Sequence, residues 1–90
     1  MSLAQIEYFV AVAEEGTVHG AARRLHISQP PLTRHVRALE DELGAPLFER
    51  TPRGMRLLPA GEVFLAHARG VLAAIDDAAA AVRRQSAAVS

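Results

Sequence analysis

Two adjacent prolines, Pro30 and Pro31, constrain this chain more than any other feature. A proline inside a helix removes a hydrogen bond and clashes with the preceding turn, whereas in the first turn its missing amide costs nothing. Leu32, Val36, Leu39 and Leu43 follow at helical spacing. The prolines must therefore open that helix, which predicts a start at Ser28, with the serine hydroxyl as N-cap. Gly44 stops the helix and Pro46 blocks its continuation. At about 100° per residue the four apolar side chains line one face, while Gln29, Thr33, Arg34 and Arg37 spread across the other.

The flanking segments have equally clear punctuation. Leu3, Ile6, Phe9, Val10 and Ala13 recur at helical spacing up to Gly16, a C-terminal stop. Thr17 is placed to cap a short second helix carrying Val18, Ala21, Ala22 and Leu25, and His26-Ile27 supplies the turn into the third. Beyond Pro46, Leu47 to Arg50 and Met55 to Leu58 read as strands about the turn Thr51-Pro52-Arg53-Gly54, with proline second and glycine fourth as a type I turn prefers. Arg53 sits at the tip of that hairpin. From Pro59 to about Arg84 only Gly61 and Gly70 interrupt an alanine-rich helix, and Ser86 to Ser90 is expected to fray. The predicted architecture is mainly α. Residues 1–58 form a winged helix-turn-helix of three helices and a two-stranded wing, and residues 59–90 a long C-terminal dimerisation helix.

Composition narrows the function classes. With 90 residues, half of them hydrophobic, the chain supports one small core. Without cysteine there is no disulfide or thiolate metal site, and the four histidines lack a finger spacing, so neither metal nor cofactor is expected. No run approaches the ~18 apolar residues of a membrane span, and no leader pattern is present, which predicts a soluble cytoplasmic protein. Glu14 with Glu15 and Asp76 with Asp77 are adjacent acids that point apart, and no nucleophile, base and orienter set accompanies them. An enzyme is not expected.

The formal net charge is zero, but its distribution is uneven. Between residues 23 and 56, seven arginines (Arg23, Arg24, Arg34, Arg37, Arg50, Arg53, Arg56) face four acids (Glu40, Asp41, Glu42, Glu49). A short helix, a tight turn and a second helix with a polar outer face is the layout that inserts a helix into the major groove of DNA. Gln29, Pro30, Thr33 and Arg34 would then meet base edges. Glutamine pairs with adenine, arginine with guanine, and the proline ring or threonine methyl packs on a thymine methyl. A helical protein-interaction domain that makes no use of DNA is the alternative reading.

The run from Ala21 to Glu40 (AARRLHISQPPLTRHVRALE), then Leu43-Gly44 and Leu47-Phe48-Glu49-Arg50, resembles the N-terminal domain of LysR-type transcriptional regulators. Phe9 to Thr17 and Ala60-Gly61 extend the resemblance in register, so that it runs from about Leu3 to Arg84. It implies a third helix in the major groove, a wing in the adjacent minor groove, and a fourth helix joining two protomers on an inverted-repeat site. Carried over by position, Gln29, Pro30, Pro31, Thr33 and Arg34 would face bases or nearby phosphates, and Arg53 the minor groove. Thr17, Ser28, Arg37 and Arg50 would contact phosphates. Arg50 has an alternative role in pairing with Glu49 or Glu40. The resemblance also implies a C-terminal domain that senses a small-molecule inducer and is absent from this chain.

Phe64, Ala68, Val71, Ile75, Ala78 and Val82 follow alternating steps of four and three, the pattern of a helix seam. A symmetric homodimer through that seam is expected, with Leu65 and Leu72 beside it, either widening the contact or returning to the domain core. The chain departs from the family pattern twice. Leu58 stands where a threonine is usual, removing an N-cap hydroxyl, and His19-Gly20 places a glycine inside a short helix. His19 is either a phosphate contact or a solvated helix residue.

Overall fold

In the computed structural model, which describes residues 1–89, the chain forms α1 (Leu3–Glu15), α2 (Val18–Leu25), α3 (Gln29–Leu43), β1 (Phe48–Thr51), β2 (Gly54–Leu57) and α4 (Pro59–Val89). This is the predicted winged helix-turn-helix with a long terminal helix. α4 stays helical to Val89, beyond the end expected near Arg84. Its alanine-rich last turns contain no residue that opposes continuation. Ser90, the last residue of the expected frayed tail, lies outside the described residues.

The helix ends are local chemistry. Ser2 and Gln5 form a reciprocal capping box: the Gln5 amide donates to the Ser2 hydroxyl, and the Ser2 amide to the Gln5 side-chain carbonyl. Gly16 and Gly44 close α1 and α3 in the left-handed conformation that glycine adopts without penalty. α2 starts on Thr17, whose hydroxyl accepts from Gly20 N at 2.9 Å, and ends on His26, left-handed at φ 57°. The unexpected glycine has a local reason, because a Cβ at Gly20 would come within 2.9 Å of the Thr17 hydroxyl oxygen.

α3 corrects one expectation. Ser28 stands at the N-cap position but its side chain makes no cap hydrogen bond. A capping hydroxyl accepts from the second or third helical amide, and here those residues are Pro30 and Pro31, which have no N–H. The prolines that start the helix thus remove the donors its cap would have used.

α1 lies at the centre, against α2, α3, α4 and β2. Its Phe9, Val10, Ala11 and Val12 are all buried, so the helix is enclosed on more than the single face its periodicity suggests, and Leu3 is exposed instead. Phe9 packs against Phe48 of β1 and Phe64 of α4, with ring centroids 5.3 and 5.1 Å apart. From α3, Leu32, Val36 and Leu39 enter this core. Leu43 does not: it is 38% exposed, because the last turn of α3 overhangs the packed elements.

The strands pair antiparallel, with Phe48 opposite Leu57 and Thr51 opposite Gly54, leaving Pro52-Arg53 as the two-residue tip. Two contacts fix the hairpin to the helices. Met55 N donates to Gly16 O at 2.9 Å, which ties β2 to the end of α1, and Leu58 N donates to Leu47 O at 2.9 Å. At both junctions a glycine allows the close approach: a Cβ on Gly54 would overlap Gly16 O, and one on Gly61 would overlap Leu47 O. No helix among the described residues is long and apolar enough to cross a membrane.

Candidate nucleic-acid interface

Burial of Leu32, Val36 and Leu39 sets the rotation of α3, and the remaining side chains follow. Gln29, Pro30, Arg34 and Arg37 are exposed along the outer face, with Pro31 and Thr33 half-buried at its edge. Amide, guanidinium and methyl groups thus project from one end of a helix whose opposite side is anchored, as a base-reading surface requires. Ser28, with its hydroxyl uncommitted to a cap, stands exposed at the same end.

The wing lies alongside. A cleft between the hairpin and the start of α2 is lined by Thr17, His19, Gln29, Arg50 and Arg53 among others. Arg50 also borders a second hollow with Thr33 and Arg37. The alternative partners of Arg50 are engaged elsewhere. Glu49 pairs with Arg56 on the neighbouring strand. Glu40 Oε2 accepts from the backbone amides of Leu47 and Phe48 at 2.6 and 3.3 Å. Arg53 is exposed at the tip, where its own amide donates to the Thr51 hydroxyl at 3.2 Å and holds the turn closed.

Ion pairing explains how a chain of zero net charge presents a cationic face. Arg24, Arg56 and Arg69 are matched by carboxylates of Glu14, Glu15 and Glu49. Among the described residues Arg23, Arg34, Arg37, Arg50 and Arg53 form no ion pair. These five guanidiniums lie on the helix-turn-helix and wing, available for phosphate or guanine, while Arg83 and Arg84, also without an ion pair among the described residues, stand far along α4. Thr17 remains compatible with such a role, since its hydroxyl accepts from Gly20 N and keeps its own proton to donate.

His19 has a partner that periodicity alone did not indicate. Its Nδ1 lies 3.1 Å from Gln29 Nε2, joining the first turn of α2 to the first turn of α3. Both residues are exposed, and a polar pair across two helix starts leaves no mark in either helix's apolar pattern.

The expected seam on α4 divides in two. Ala68 is buried in the chain's own core, Phe64 packs on Phe9, and Leu65 and Leu72 join the same cluster. Phe64, Ala68 and Leu72 are therefore used within the domain, because the first turns of α4 lie across α1. The opposite face and the later turns of α4 extend away from that core and draw the chain out to 54 Å in its longest dimension. Val71, Ile75, Ala78 and Val82 stay exposed there, three of them large apolar side chains at 43%, 42% and 69% exposure.

Residues 3–62 match the family described as bacterial regulatory helix-turn-helix protein, lysR family. The chain belongs to the LysR family. Among curated relatives of this LysR-family chain, the HTH-type transcriptional regulator ClcR of Pseudomonas putida is 60% identical over 72 residues, 80% of this chain and 24% of ClcR. Two solved structures extend the similarity to α4. The CbnR DBD-DNA complex superposes with a TM-score of 0.89 at 45% identity, covering 96% of this chain and 99% of that one. The BenM DBD complex with benA site 1 DNA superposes with a TM-score of 0.90 at 40% identity, covering 96% and 97%. The LysR-family chain spans about a quarter of the length of ClcR.

Proposed function

We propose that this chain is the sequence-reading, DNA-binding part of a dimeric transcription regulator. In this reading α3 enters the major groove, where Gln29, Thr33 and Arg34 meet base edges with Pro30 and Pro31 beside them. Arg53 enters the adjacent minor groove, whose negative potential is strongest where it is narrow. Thr17, Ser28, Arg37 and Arg50 hold phosphates and set register. Val71, Ile75, Ala78 and Val82 pair α4 with a second copy, so that two recognition helices face successive major grooves of an inverted repeat. An inducer would act through a C-terminal domain outside this chain, and the regulator would work in the cytoplasm by binding and not by catalysis.

The observation that carries this reading is the unpaired Arg34 beside Gln29 on the outward face of α3, opposite the buried Leu32, Val36 and Leu39. Similarity to the CbnR DBD-DNA complex along nearly the whole chain supports it. Selection from random duplexes tests it and should return an inverted repeat. On that site Arg34→Ala is expected to cost about 1–3 kcal/mol and relax the preference at one position of each half-site. A uniform loss over all sequences would make Arg34 a phosphate contact instead.

A further inference from the structure

The Gln29 side chain has a polar partner on α2. Its Nε2 lies 3.1 Å from His19 Nδ1. An amide nitrogen only donates, so the contact is a hydrogen bond in the tautomer whose Nδ1 accepts and whose proton sits on Nε2. With one Nε2–H given to His19, the amide has its carbonyl Oε1 and its other N–H left for a ligand. That acceptor-plus-donor pair complements the major-groove edge of adenine, which shows an N6–H donor and the N7 acceptor.

Protonation of His19 reverses the requirement. Both ring nitrogens are then donors, and only Oε1 can face Nδ1–H. The amide turns over and presents its N–H groups outward, which suits the two acceptors of guanine, O6 and N7, better than adenine. We infer that His19 is a positioning residue that selects the base read by Gln29, with adenine favoured when the imidazole is neutral and guanine gaining when it is charged. This rests on the reading that Gln29 meets a base edge.

The surroundings supply the electrostatic frame. His19 shares one hollow with Arg23 and His26, and Gln29 closes it from α3. On the other side it shares the cleft with Arg50 and Arg53 of the wing. The carboxylates at the end of α1, Glu14 and Glu15, are engaged by Arg24. The charged and titratable groups that share either hollow with His19 are thus Arg23, His26, Arg50 and Arg53, with no carboxylate among them. Histidine changes charge between about pH 5 and 8, so the effect is open to titration.

The test measures relative affinity for duplexes carrying adenine or guanine at the position read by Gln29, at about pH 8 and pH 5.5. The chain should favour adenine at high pH, with the ratio falling by roughly tenfold at low pH, the size of one lost bidentate pair. His19→Ala should lower the high-pH ratio and abolish its pH dependence. His19→Asn, whose Oδ1 accepts from the amide but does not titrate, should restore adenine preference at both pH values. If Gln29→Ala alters base preference while His19→Ala leaves both the ratio and its pH dependence intact, His19 does not position Gln29. If Gln29→Ala changes base preference nowhere, the reading of Gln29 fails and takes this inference with it.

Discussion

Arg69 of α4 donates from Nε and Nη2 to a single carboxylate oxygen of Glu14, at 3.1 and 3.0 Å, while Arg24 of α2 holds the other Glu14 oxygen at 2.9 Å. One carboxylate at the end of α1 thus bridges the helix that precedes the recognition helix and the helix that leaves the domain. Ala68, next to Arg69, is buried in the core. The packing sets the position of α4, and the ion pair restrains its direction.

The Glu14 carboxyl is held below its usual value of 4.5, first by the hydrogen bond from Arg24 and further by Arg69, against an opposing push from partial burial. Folding therefore favours its ionised form. The resulting stabilisation is complete above the ordinary glutamate value and fades as pH falls through the lower folded value. The melting temperature of Glu14→Gln should lie below that of the parent at neutral pH, with the gap closing below about pH 4.5 as the parent's own carboxylate protonates. The pairs are partly solvated, so the gap should also narrow in high salt.

Glu40 joins α3 to the wing through its two backbone hydrogen bonds at Leu47 and Phe48, both buried residues. Removing that acceptor leaves sheltered amides without a partner. Glu40→Ala should cost about 1.5–3 kcal/mol by denaturant unfolding. Glu40→Gln keeps an oxygen for the same two amides, loses only the charge, and should cost less. Amide exchange at Leu47 and Phe48 should quicken in the alanine variant first.

Gly61 passes so close to Leu47 O that any side chain would overlap a backbone carbonyl, which cannot rotate away. Gly61→Ala should destabilise by about 1–3 kcal/mol and lower the melting temperature, although alanine is the better helix former. At Gly70, where a Cβ meets nothing, the same change should stabilise slightly through helix propensity.

The split seam on α4 separates two kinds of variant. Ile75→Asp puts a charge on an exposed residue and should leave the fold intact while giving a monomer by sedimentation. Ala68→Asp buries an unpaired carboxylate in the core and should lower stability in the monomer itself. A dimer unchanged by Ile75→Asp would refute the pairing of α4 through this face.

The outer face of α3 was legible in the sequence because it depends on one helix alone: Pro30 and Pro31 set where it starts, Leu32, Val36 and Leu39 set which side is buried, and Gln29 and Arg34 occupy what remains. The same local view misjudged Leu43 and the cap at Ser28. The first depends on where neighbouring elements stop, the second on what the next two residues lack.

What the sequence determined alone are the features decided within a few residues of one another: the glycine stops at Gly16 and Gly44, the Thr17 cap, the two-residue wing tip and the start of α4 at Pro59. Only the tertiary structure decided which acids meet which arginines, that Glu40 caps a strand, that His19 reaches Gln29, and that Phe64 and Ala68 turn inward while Ile75 stays outside. Helix and turn preferences act through bonds and neighbours on the same few turns. Partners such as Glu14 and Arg69, 55 residues apart, are brought together by core packing, which leaves no periodicity in the chain to read.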